Sequence, residues 1–106
     1  LLDREQFLPI LLDNKHHLLG VEEVSVGTLS QTLVHPREVF KAIILTNAAA
    51  FLAIHNHPSG DPTPSRADIE ITRRLREVAN IFGVRFLDHV VVGSDRYVSF
   101  VDDGYW

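Results

Sequence analysis

The stretch His55-Asn56-His57-Pro58-Ser59-Gly60-Asp61-Pro62-Thr63-Pro64-Ser65-Arg66-Ala67-Asp68 concentrates the residue types in this chain best suited to chemistry. Two imidazoles spaced i, i+2 at the end of a strand project from one face, because side chains alternate with a period of two. They can therefore share one ion. Asp68 supplies a third ligand if the proline-rich loop brings the start of the next helix back beneath the histidines. Two imidazoles and one carboxylate leave a fourth tetrahedral position for water, the layout of a catalytic rather than a structural zinc centre. A plainer reading stands beside this one. H-x-H pairs are common by chance, and Ser65-x-x-Asp68 is an ordinary capping box, in which Ser65 accepts from the third helical residue and Asp68 reaches back. That reading does not explain why a strand ends in two same-face histidines, nor why three prolines stiffen the intervening loop. The chain has no cysteine, which excludes thiolate zinc sites, iron–sulfur clusters, disulfides and cysteine nucleophiles. Any metal must rest on His and carboxylate ligands.

The elements that must position these residues follow from the surrounding pattern. Phe7 to Leu12 is a short apolar run ending in the turn formers Asp13-Asn14-Lys15, a strand entering a turn. After Leu18 and Leu19 the alternation from Val21 to Thr28 predicts a second strand paired to the first, with Gly20 as a bulge and Gly27 as a stop. Pro36 suits the first turn of a helix, and Val39, Phe40, Ile43 and Ile44 continue it to about Asn47. The continuous apolar run from Ala48 to Ile54 predicts a strand buried on both faces. A second helix opens at Ser65, with Ile71, Leu75, Val78 and Phe82 on one stripe, Glu70/Arg74 and Arg73/Glu77 on the other, and Gly83 as its stop. Val84 to Val92 and Tyr97 to Val101, joined by Gly93-Ser94-Asp95, predict a closing hairpin. The order is β-β-α-β-α-β-β, an α/β domain with a mixed sheet and flanking helices.

At 106 residues the chain fits one domain, residues 1–106, able to bury its own core. It starts Leu1-Leu2-Asp3 and contains no Met, which points to a piece of a longer protein. Ten basic against fourteen acidic residues give a formal charge of −4, the wrong sign for a domain that works by gripping phosphates. Arg66, Arg73, Arg74 and Arg76 make the second helix locally basic, but Glu70 and Glu77 interleave with them as helix-surface pairs. Nucleic acid is not an expected partner of this fragment. No apolar run reaches a membrane span, and no basic-plus-apolar leader is present, so the expected setting is cytoplasmic.

The chain from about Phe7 to Phe100 resembles the RadC-like branch of the JAB/MPN (JAMM) metalloprotease domains. The resemblance is carried by His55-Asn56-His57-Pro58-Ser59-Gly60 with Ser65-x-x-Asp68, by Gly27-Thr28 and His35-Pro36-Arg37-Glu38 upstream, and by Asp88-His89 downstream. It implies a cytidine-deaminase-like JAB/MPN fold and one zinc ion per chain on His55, His57 and Asp68. It further implies a Ser65 hydroxyl that steadies an oxyanion and a glutamate from an earlier strand as general base. Among Glu22, Glu23 and Glu38, Glu22 is in phase with Val24 and Val26, so it points inward if those valines do. Glu38, on the first turn of a helix, is explained by the helix dipole alone. The implied reaction is hydrolysis of a peptide or isopeptide amide, with Glu22 moving the proton of a water that zinc acidifies to a pKa of roughly 7.

Several other residues are expected to lie outside the chemistry. Asn56 faces away from the histidines and is expected to bind loop backbone rather than substrate, with Pro58, Pro62 and Pro64 as scaffold. Asp88-His89 is either structural, a support behind the ligands, or groove lining. His16, His17 and His35 are expected at the surface and at a helix entry. The letters H-N-H do not make a nuclease finger, whose residues are spread over a ββα unit. RadC-like proteins carry a traditional DNA-repair label, so the alternative is a repair-associated or interaction domain whose metal site is structural or vestigial.

Overall fold

A computed structural model of the chain describes residues 4–24 and 34–106. β1 (Phe7–Leu12) and β2 (Leu18–Val21) form an antiparallel pair. Asp13 closes the turn between them: its Oδ1 accepts the N–H groups of Lys15 and His17, each at 2.8 Å, and its own N–H donates to the His17 carbonyl. The reversal is thus complete by His17, and the apolar residues that follow pair at once, Leu12 with Leu18. This corrects the expected second strand over Val21 to Thr28, which begins three residues earlier than the alternation suggested. Leu11 faces Gly20 and Leu12 faces Leu18, so the extra residue is Leu19, beside the glycine. Beyond β2, Val24 bridges back to Phe7. Val26, Gly27 and Thr28 lie outside the described residues.

α1 (Pro36–Thr46) starts on Pro36 and ends at Asn47, which takes the left-handed conformation (φ 54°) while Ala48 N–H bonds back to the Ile43 carbonyl. β3 (Ala50–Asn56) therefore begins after this cap and runs through His55. It pairs antiparallel with β1 and parallel with β4 (Arg85–Val92), the crossover being α2 (Arg66–Phe82). β5 (Tyr97–Ser99) closes the sheet, whose strand order is β2-β1-β3-β4-β5.

Both helices pack on the same face of the sheet. Phe40 of α1 meets Phe51 of β3 edge-on at 5.7 Å between centroids, and Thr72 of α2 reaches His89 of β4, which pairs with Ala53 on that face. Consequently β3 is not buried on both faces as its composition suggested: Phe51 and Ala53 are fully buried under the helices, whereas Leu52 and Ile54 behind them are only half-buried. α2 is also turned relative to its apolar stripe. Its buried residues are Asp68, Thr72, Leu75 and Ala79, while Ile71 and Val78 flank the core and Phe82 is half-exposed, stacked on Phe40. Two polar residues sit on the buried line because the sheet opposite presents polar partners. That same rotation builds the site.

Candidate metal centre

Four ligand-type side chains converge where β1 begins, β3 ends and α2 begins: Glu5, His55, His57 and Asp68 have ligand atoms all within 4.8 Å of one another. His55 and His57 leave β3 on the helix-covered face, as the period of two requires. Asp68 comes to them because it is the third residue of α2, and Glu5 because Phe7, two residues on, pairs with His55 across the sheet. His55 and Asp68 are almost completely buried, His57 is 15% exposed and Glu5 24% exposed at the side chain, so the group opens to solvent on the Glu5–His57 side.

Hydrogen bonding orients the donors. His57 Nδ1 lies 2.9 Å from the Asp61 carbonyl, an acceptor only, so Nδ1 carries a proton and donates it there. His57 Nε2 stands 2.9 Å from Asp68 Oδ2. Either a proton or a metal cation can lie between these two atoms. His55 repeats the arrangement, with Nε2 against the Glu5 carboxylate and Nδ1 buried 3.3 Å from Asp68 Oδ1 without a well-formed hydrogen bond. Two imidazoles with carboxylates, each imidazole aimed at an anion, are a donor set suited to a divalent ion.

The electrostatics agree. Burial opposes the charge on Asp68, but the contacts from His55 and from the Ser65 N–H outweigh it and hold the carboxyl well below the usual carboxylate range. Burial likewise opposes a charge on His55, yet the Asp68 and Glu5 carboxylates reverse the balance and raise it. Asp68 is thus ionised and ready to ligate.

The capping box leaves Asp68 able to serve in the candidate group. Ser65 Oγ accepts from the Asp68 N–H at 3.0 Å, and Asp68 Oδ2 accepts from the Ser65 N–H at 2.8 Å. The cap fixes the Asp68 side chain, leaving its oxygens turned toward His55 and His57. Ser65 itself is exposed at the rim of the group.

Glu22 is not brought to this group. Its N–H donates to the Pro9 carbonyl, and its exposed side chain lines a shallow recess with Glu23, Glu38 and Lys41 beside α1. Glu22 does share its phase with the buried Val24, but it stands toward the sheet edge, where the core has ended. Glu23 pairs with Arg4 at 3.0 Å. Glu5, which sequence reasoning passed over, occupies the place beside the histidines. The signal was present: Glu5 is in phase with Phe7 and Leu11, both buried on the same face.

Beneath the ligands lies a second polar layer. Thr72 Oγ1 donates its single proton to the Asp68 carbonyl at 2.7 Å and, 2.6 Å from His89, accepts from Nδ1–H. His89 is fully buried, stacked on Phe100 with its ring 5.7 Å from that of His55. Burial, then the neighbouring His55, pushes its pKa down to about 3. Asp88 anchors the backbone here, accepting from the N–H groups of His89 and Val101 and from Ser99 Oγ. His17 lies in the β1–β2 turn against Asp13, and His35 is the exposed N-cap of α1. On α2, Arg73 bridges Glu70 and Glu77, and Arg76 lies over the Trp106 ring.

The family model described as RadC-like JAB domain matches residues 1–105. The chain belongs to the RadC-like JAB domain family. Its relatives include UPF0758 proteins of Geotalea uraniireducens (52% identical over 95% of this chain and 44% of that protein) and Desulfitobacterium hafniense (52%, over 97% and 45%). Another, from Caldanaerobacter subterraneus, is 48% identical over 99% of this chain and 45% of that protein. This RadC-like JAB domain therefore spans a little under half the length of these relatives. The mixed α/β architecture of the described residues, five strands and two helices, is consistent with a JAB/MPN fold. No helix among the described residues is long and apolar enough to cross a membrane.

Proposed function

We propose that this RadC-like JAB domain is a zinc-dependent hydrolase of peptide or isopeptide amide bonds, with His55, His57 and Asp68 as metal ligands and Glu5 as general base in the role expected of Glu22. The observation that carries the reading is the convergence of His55, His57, Asp68 and Glu5, whose ligand atoms all lie within 4.8 Å of one another, around an ionised Asp68 carboxylate. Zinc suits two imidazoles and a carboxylate, and when bound it supplies Lewis acidity and an acidified water. The chain's own residues do the rest. Glu5, partly exposed and at the group's open side, takes a proton from the attacking water and returns it to the leaving amine. Ser65 Oγ accepts from the Asp68 N–H, which leaves its O–H free to donate to the oxyanion that forms on the amide carbonyl. The Asp61 carbonyl holds the His57 ring in the tautomer that ligates.

The test is hydrolysis of a panel of peptide and isopeptide amides by the zinc-loaded protein. Glu5→Gln retains zinc and loses at least ~10²-fold in kcat, while Glu22→Gln stays within about twofold. Full activity in Glu5→Gln overturns the base assignment, and loss of zinc from Glu5→Gln makes Glu5 a ligand instead. A zinc-loaded protein inert toward the whole panel overturns the hydrolase.

A further inference from the structure

β1 and β3 pair as far as Phe7 and His55, and the last backbone bond between them runs from the Asn56 N–H to the Gln6 carbonyl at 3.3 Å. The next N–H of that strand, on His57, faces the other way and donates to the Val92 carbonyl of β4 at 2.9 Å, so the Gln6 N–H and the Arg4 carbonyl lie beyond the backbone ladder. The Asn56 side chain takes over there. Its Oδ1 accepts the Gln6 N–H at 2.5 Å, and its Nδ2–H donates to the Arg4 carbonyl at 3.0 Å. A carboxamide offers the same planar donor–acceptor edge as a peptide unit, so these two bonds continue the sheet by means of a side chain.

Their placement is specific. The Arg4 carbonyl belongs to the peptide plane before Glu5, and the Gln6 N–H belongs to the plane after it. Holding both planes fixes φ and ψ of Glu5, and hence the direction of its Cα–Cβ bond. We propose that Asn56 is the positioning residue for Glu5: its carboxamide clamps the two peptide planes that flank Glu5 and so aims the carboxylate at His55 and the metal centre. Asn56 itself is not one of the four ligand-type residues. It lies between the two histidines in sequence, so the segment that supplies the ligands also sets the proposed base. This inference rests on the reading of Glu5 as general base, and its test separates the two.

The experiment uses the full 106-residue chain and the variants Asn56→Ala, Asn56→Asp, Glu5→Gln and the double variant Glu5→Gln/Asn56→Ala. In Asn56→Ala, exchange of the Gln6 amide rises at least ~10-fold as its bond is lost, while the amides within β1 and β3 stay protected. In the metal-free protein the imidazole 15N shifts of His55 move toward those of Glu5→Gln. In the zinc-loaded protein kcat falls at least ~10-fold with KM and zinc content retained, and Asn56→Ala adds no further loss in the Glu5→Gln background. Asn56→Asp keeps the acceptor for Gln6 but has no donor for Arg4, so it moves the His55 shifts while the Gln6 amide stays protected. It decides the matter if Asn56→Ala does not fold. Wild-type His55 shifts in Asn56→Ala or Asn56→Asp, or an undiminished loss of kcat on adding Asn56→Ala to Glu5→Gln, overturns the clamp. Wild-type kcat in Glu5→Gln with the exchange and shift changes intact overturns the base assignment alone.

Discussion

His89 shows how strongly single residues in the polar layer are constrained. Its folded pKa of about 3 lies below the 6.5 of an unfolded histidine, so between those values the unfolded chain binds a proton that the folded chain refuses. Its contribution to stability is complete above pH 6.5 and is lost as pH falls toward 3. Denaturant titrations of the metal-free protein at several pH values should show a decline of a few kcal/mol at most over that window, at about 1.4 kcal/mol per unit. His89→Phe should flatten that part of the profile, and an unchanged slope in that variant would count against a buried neutral imidazole. The histidines of the site and Asp68 were readable in the sequence because their relation is local: a period of two, then a stiff loop, then a helix start. Glu5 was not, because it meets His55 across 50 residues through the pairing of β1 with β3. Glu22 shares its phase with the buried Val24 but is itself exposed, because phase fixes a face and not how far along the sheet the core extends.

Between the elements, the loop after β3 is held by the β4–β5 turn. Ser94 N–H donates to the Gly60 carbonyl at 3.0 Å, and a Cβ on Gly93 would overlap that same carbonyl oxygen and come within 2.8 Å of Pro62 Cδ. Gly93→Ala must therefore displace the loop that carries the Asp61 carbonyl, which orients His57. Such support behind a ligand is worth about 10–100-fold in metal affinity, so competition with a chromophoric chelator should show a loss of that size. Unchanged affinity would mean that the loop does not set the ring. The boundaries of α1, α2 and β1 were clear from Pro36, Ser65, Gly83 and the Asp13 turn, each a local signal. The start of β2 and the rotation of α2 were not. Bulged pairing at Leu19 and polar partners for Asp68 and Thr72 arise only when the elements meet.

Taken as a whole molecule, the chain carries a formal charge of −4, and two of the basic residues on α2 are engaged, Arg73 with Glu70 and Glu77 and Arg76 with Trp106. Duplex DNA binding by this domain should accordingly be negligible by fluorescence anisotropy in low salt. Tight binding that weakens steeply as salt rises would revive a nucleic-acid role. The relatives are more than twice as long as this chain. The central claim is that His55, His57 and Asp68 hold one metal ion. Its most direct test is the metal content of protein purified without a nickel column, by plasma mass spectrometry, before and after zinc is added back and with His57→Ala in parallel. Close to one zinc per chain is expected, lost in His57→Ala while the variant stays folded, and a chain that takes up no zinc after addition would contradict the assignment.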